Sequence, residues 1–168
     1  GCSSEWGFSE GSQPLGIFRP VVLEATDEIR IEPFGVHIWN DEKAANVFVE
    51  TGVKNYGKTT ETIEVVNKLS NADGKQVFRL VEKVTLAPGE MKVIRQQSPV
   101  ENPVLWDTEN PYLYKLASMI KRDTKTTDEI STPFGIRTIS WPVKRNDEDG
   151  RFYLNGKPVF INGVCEYE

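Results

Sequence analysis

Glu166 and Glu168 are the carboxylates whose spacing invites chemistry: two residues apart on a strand, they share one face. The other acidic groups, Asp27/Glu28, Asp107/Glu109 and Asp147/Glu148/Asp149, lie in polar connections and read as solvated surface charge. His37 is the single histidine. A lone histidine builds neither a catalytic dyad nor a zinc site without partners, so a strand histidine satisfied by hydrogen bonds is the expected reading. Cys2 and Cys165 lie near opposite ends, which permits one bridge but announces no disulfide framework. Cys165, in an apolar run, reads as a small buried residue. No glycine-rich phosphate loop, nucleophile elbow or metal motif occurs. These residues therefore assign no catalytic, substrate-binding or metal site and no cofactor, and the chain by itself is expected not to be an enzyme.

The elements that would position such groups are strands. Arg151 to Leu154 is short and apolar-rich, Asn155-Gly156 is a strong two-residue hairpin signal, and Lys157 to Ile161 runs back. Asn162-Gly163 breaks that run, and Val164-Cys165 opens a third strand carrying Glu166 and Glu168. Upstream, apolar and polar residues alternate over Glu28 to Trp39, with a kink at Pro33, and over Asn46 to Lys54 and Thr60 to Leu69. The same holds for Gln76 to Leu86, Met91 to Gln97, Tyr112 to Lys121 and Asp128 to Ser140. Ile17 to Glu24 is an earlier strand-like run that Pro20 confines to an edge or a bulge. Ala72 to Lys75 and Leu86 to Gly89 are turns, Pro99 to Pro111 is a proline-studded connection, and Arg122 to Thr127 is a polar one.

No window shows a convincing helical period. Short strands broken by turns at intervals of about 8–12 residues indicate an all-β chain. The expected fold is an immunoglobulin-like antiparallel β-sandwich of about seven strands, over residues 26–141. Alternation places Ile31, Ile38, Val47, Val49, Val53, Ile63 and Val65 in the core, with Leu80, Val84, Val93, Leu113, Leu116 and Ile136. Trp106 and Tyr112 are expected to close one edge of the sandwich, and Trp39 and Trp141 to fill core.

At 168 residues the chain can bury a core without staples, since a domain near that size removes roughly 70% of its unfolded surface from water. Its 20 basic and 25 acidic residues leave a formal net charge of −5, which argues against nucleic acid or an anionic membrane as the main partner. No stretch approaches the ~20 apolar residues of a membrane-spanning helix.

Three segments in order carry a family resemblance. Glu101 to Leu116 reads ENPVLWDTENPYLYKL, Pro133 to Trp141 reads PFGIRTISW, and Phe152 to Val164 reads FYLNGKPVFINGV. Together they resemble glycoside hydrolase family 2, which holds β-galactosidases, β-glucuronidases and β-mannosidases. Gly16 to Leu23, GIFRPVVL, looks like the last strand of that family's N-terminal jelly-roll. The resemblance implies that residues 1–25 are the tail of a jelly-roll, 26–141 the immunoglobulin-like domain, and 142–168 a linker and the start of a (β/α)8 catalytic barrel.

By the same resemblance the whole protein is a retaining glycosidase, and its acid/base and nucleophile glutamates lie in the barrel, beyond this chain. Its partners would be the adjacent jelly-roll and barrel domains, with a homo-oligomer possible and an extracytoplasmic location implied by analogy. Glu168 matches a glutamate at the end of the barrel's first strand that in some β-galactosidases helps bind magnesium near the active site. Cys165 and Tyr167 stand where the family carries Asn and His, so a magnesium role is in doubt. The competing reading is a free-standing carbohydrate-binding or adhesion module, which needs a coplanar exposed pair drawn from Trp6, Phe8 or Trp39. The apolar strands within residues 1–24 and 142–168 are expected to be disordered, folded back, or paired with another molecule.

Overall fold

The computed structural model describes residues 16–17, 20–141 and 150–164. Among them there are strands and no helices. Seven strands make the expected sandwich: β1 (Ile29–Asn40), β2 (Asn46–Asn55), β3 (Glu61–Ser70), β4 (Gln76–Leu86), β5 (Met91–Pro99), β6 (Tyr114–Arg122) and β7 (Lys125–Phe134). One sheet has the order β1-β2-β5 and the other β4-β3-β6-β7. All neighbours are antiparallel. A small third sheet, β10-β9-β8, joins β8 (Ile139–Ser140), β9 (Phe152–Leu154) and β10 (Lys157–Val159).

The strands form where one face is buried. On β2, Val47, Val49, Thr51 and Val53 are inaccessible, and on β3 the inward set is Ile63, Val65, Asn67 and Leu69. β6 contributes Tyr114, Leu116, Ser118 and Ile120. Burying each large aliphatic side chain contributes roughly 1.5–3 kcal/mol, so a one-residue slip, which would turn the whole set to water, is strongly disfavoured.

The core is two apolar clusters with a polar belt between them. One cluster contains Val47, Val49, Leu69, Leu116 and Ile136. The other contains Ile31, Val53, Ile63, Val65 and Ile120. Between them Asn67 Nδ2 donates to Thr51 Oγ1 (2.9 Å) and Gln96 Oε1 (2.9 Å), and Ser118 Oγ donates to Asn67 Oδ1. Asn67, Thr51 and Ser118 are fully buried, and their bonds tie one sheet to the other.

Most expected core positions are buried, with Ile38 and Leu80 partly so at its margin. Val93 and Leu113 are not: they are 45% and 48% exposed. Successive strand side chains point to opposite faces. On β5 it is Ile94 that opposes inward Thr51, which leaves Val93 opposite Gly52 on the outer face. Leu113 precedes β6, whose inward parity begins at Tyr114.

Other strand limits also shift. The β6–β7 connection is only Asp123 and Thr124, with Asp123 at φ 54°. The expected run Asp128 to Ser140 divides, because β7 ends at Phe134 and Ile139–Ser140 pairs with β9. Residues 20–27 form no strand; Val21, Val22 and Leu23 are exposed there. The kink at Pro33 is present as a bulge, with the β1–β2 register jumping between Ile31 and Val36.

Candidate interdomain junction

Residues 135–138 leave β7 without strand pairing, so their backbone needs other partners. Two asparagine carboxamides supply them. Asn40, at the end of β1, donates from Nδ2 to the Arg137 carbonyl (2.9 Å) and accepts from the Arg137 N–H at Oδ1 (3.3 Å). Asn155, in the β9–β10 turn, accepts from the Thr138 N–H at Oδ1 (2.9 Å), and its own N–H donates to the Thr138 carbonyl (2.8 Å). Its Nδ2 then donates to the Trp106 carbonyl (3.0 Å), and the Trp106 N–H donates to the Ile136 carbonyl (2.8 Å).

The local geometry follows from sequence. Asn155 (φ 51°) and Gly156 (φ 74°) occupy the positive-φ pair that a tight two-residue hairpin demands. Gly135 is required because a β-carbon there would sit 2.9 Å from Cβ and Cγ of Trp106. The Arg137 guanidinium lies 5.3 Å from the Trp106 ring centroid, a cation–π contact. Trp106 is thus held on Gly135, under Arg137 and beside Asn155, so the three sequence segments quoted above meet at one place.

The proline-rich segment is tied down on its other side. Tyr114 Oη accepts from the Val104 N–H (2.9 Å) and Tyr112 Oη from the Ala72 N–H (3.1 Å). Burial pushes the Tyr114 phenol above its ordinary range, against the opposing pull of that Val104 bond. Next to Asn40, the Asp41 carboxylate accepts from Asn46 Nδ2 (2.7 Å) and the Ala45 N–H (2.8 Å). The Asn46 bond first, then that from Ala45, holds its pKa below the usual aspartate value.

Asp107 caps its own turn, accepting at Oδ1 from the Glu109 and Asn110 N–H groups. Asp27 accepts from the Glu28 N–H and lies 3.9 Å from Arg122. His37 is exposed and stacks on Trp39 with centroids 4.6 Å apart. Trp39 and Trp106 are half-buried, and Trp141 is 70% exposed with its edge against Phe152, so these tryptophans line surfaces and do not fill the core. Among the described residues no group of three His, Cys, Asp or Glu is placed to hold a metal. Glu166, Glu168, Cys165 and Tyr167 lie outside the described residues, as do Cys2, Trp6, Phe8 and Asp147, Glu148 and Asp149. Sequence reading missed the roles of Asn40, Asn67, Gly135 and Arg137; only Asn155 carried a signal, as a turn residue.

The sequence profile of Glycosyl hydrolases family 2 matches residues 29–137. The chain belongs to that family. It is 35% identical over 153 residues to a β-galactosidase of Bacteroides ovatus, covering 89% of this chain and 17% of that protein. A β-glucuronidase of Formosa agariphila is 29% identical over 159 residues, covering 88% of the chain and 16% of its own length. Among solved structures, a family 2 member from Bacteroides cellulosilyticus superposes with a TM-score of 0.71 at 29% identity, covering 79% of this chain and 18% of that one. The chain therefore spans about a sixth of the length of these relatives, and the sandwich is a family 2 fold.

Proposed function

We propose that this chain is the non-catalytic immunoglobulin-like domain of a glycosidase, β-galactosidase-like, that cleaves O-glycosidic bonds in carbohydrates. Its task is to hold a preceding jelly-roll domain and a following (β/α)8 barrel in fixed relation. The observation that carries this reading is the clamp at Trp106, Arg137 and Asn155, which fixes the β9–β10 hairpin on the sandwich. Side-chain carboxamides that satisfy irregular backbone make a stiff connection, because loosening it exposes polar groups that have no alternative partner in place.

Residues 1–25 in this reading end the jelly-roll, and 142–168 lead into the barrel, where Glu168 stands near the active site of the whole protein. The reading assigns Glu168 no magnesium, because Cys165 and Tyr167 stand where the family motif carries Asn and His. Sequencing the gene beyond the codon for Glu168 tests the reading. An open frame of roughly 300 codons, the size of a (β/α)8 barrel, is expected. A stop codon at that point overturns the reading and favours a free-standing binding module.

A further inference from the structure

Two Asn-Gly pairs occur in the chain, Asn155-Gly156 and Asn162-Gly163, and by covalent chemistry alone they are nearly alike. The glycine main-chain nitrogen, once it has lost its proton, attacks the asparagine Cγ. A succinimide ring closes, ammonia leaves, and water then opens the ring to aspartate or isoaspartate. Glycine is the follower that permits this most readily, because it has no side chain to crowd its nitrogen and leaves the main chain free to turn. The fold separates the two pairs.

Asn155 is held away from the reaction. Its Oδ1 accepts from the Thr138 N–H (2.9 Å) and its Nδ2 donates to the Trp106 carbonyl (3.0 Å), so the carboxamide plane is fixed at both ends. Its own N–H is bonded to the Thr138 carbonyl (2.8 Å), and the flanking Leu154 and Lys157 are paired across the turn. To bring the Gly156 nitrogen onto Cγ, the carboxamide must rotate out of both bonds. Each bond is worth about a factor of five in an equilibrium, so ring closure at Asn155 is slowed by about 25-fold.

Nothing comparable holds Asn162. It lies past the end of β10 at Val159, and its neighbours Phe160, Ile161 and Val164 are all exposed. Among the described residues its carboxamide has no hydrogen-bond partner. A β-carbon built on Gly163 would meet no atom within 4 Å, so the approach to the glycine nitrogen is open. The exposed turn Asp73-Gly74 is deactivated twice by contrast. A carboxylate is a poor electrophile, and the Gly74 N–H is engaged by the Asn71 carbonyl (3.0 Å).

We propose that Asn162 is a deamidation site of the folded protein, and that the clamp of Asn155 on Thr138 and Trp106 keeps Asn155 an amide. Conversion at Asn162 adds a negative charge and, in the isoaspartate product, an extra methylene to the main chain where it leaves the hairpin. Conversion at Asn155 would replace the donor to the Trp106 carbonyl with a carboxylate oxygen and so take the clamp apart.

Timed incubation of the chain at mildly alkaline pH tests the proposal, with proteolysis and mass spectrometry that separates aspartate from isoaspartate. Asn162 is expected to change from amide to acid at a rate that rises with hydroxide, and Asn155 about 25-fold more slowly. In guanidinium chloride that unfolds the chain, both should convert at similar rates, because the difference belongs to the fold. Asn162→Gln, whose longer side chain closes a less favoured ring, should abolish the change at that position and leave Asn155 as it was. Equal conversion of the two sites in the folded chain overturns the protection by the clamp. An Asn162 that stays an amide in the folded chain overturns its assignment, whatever happens in denaturant. A product that is aspartate alone, formed at a rate independent of hydroxide, overturns the succinimide route.

Discussion

Replacing Asn67 with leucine tests the polar belt that joins the two sheets. The variant loses the bonds to Thr51, Gln96 and Ser118. It leaves two hydroxyls, those of Thr51 and Ser118, in places with no solvent access. An unsatisfied buried polar group costs about 1–3 kcal/mol, so two give about 2–6. Leucine's larger apolar surface offsets part of this at about 25 cal/mol per Å2, leaving an expected net loss of about 2–4 kcal/mol. With a urea m-value of about 2 kcal/mol/M, the unfolding midpoint should fall by about 1–2 M at unchanged slope. The triple variant Thr51→Val, Asn67→Leu, Ser118→Ala removes both sides of the main bonds. It should recover most of the loss, since replacing both partners by apolar groups is close to neutral. A single variant costing under about 0.5 kcal/mol, or a triple variant no better than the single, refutes the assignment of stability to pairing within this belt.

Gly135→Ala should cost about 1–3 kcal/mol by forcing a methyl group against Trp106, seen as a lower thermal midpoint. Asn155→Gly keeps the turn conformation but removes both carboxamide bonds. Amide exchange across Phe152–Val159 should accelerate while that of β2 and β3 is unchanged. Asp41 has a depressed folded pKa, so its contribution is present above the unfolded value of about 3.9 and disappears as pH falls through the folded one. Asp41→Asn should accordingly flatten the acid side of the stability–pH curve. The Arg95–Glu50 pair, 2.7 Å apart with Arg95 77% exposed, should prove weak: Glu50→Gln is expected to change stability by under about 1 kcal/mol in a urea titration.

Alternation made the sandwich legible wherever one face of a strand is wholly buried. Val47 and Val49 on β2, and Ile63 and Val65 on β3, leave no ambiguity about which side faces in. It failed on β5, where Met91, Val93 and Ile94 offer apolar residues at both parities. There the register is set by a contact distant in sequence, with Asn55 exchanging backbone bonds with Gly89 and Glu90. Leu113 and Leu116 have opposite parities on a continuous strand, and the start of β6 at Tyr114 decides that Leu116 faces inward.

The junction divides in the same way. Its three segments were readable as family signatures, and Asn155-Gly156 as a turn, because turn chemistry is local. That Asn40 would reach Arg137, 97 residues away, and Asn155 reach Trp106, 49 residues away, is decided by tertiary packing. The polar belt was hidden for a related reason. Thr51, Asn67 and Ser118 sit at inward positions of apolar strands, where pattern reading sees three interruptions and cannot see that they pair.

The measurement that bears most directly on the account is aryl-glycoside hydrolysis by two purified proteins, this chain and the polypeptide extended through its downstream reading frame. The account predicts turnover by the extended polypeptide and none by the chain, which spans about a sixth of the length of its glycosidase relatives. Turnover that followed the 168-residue chain through repurification would contradict it.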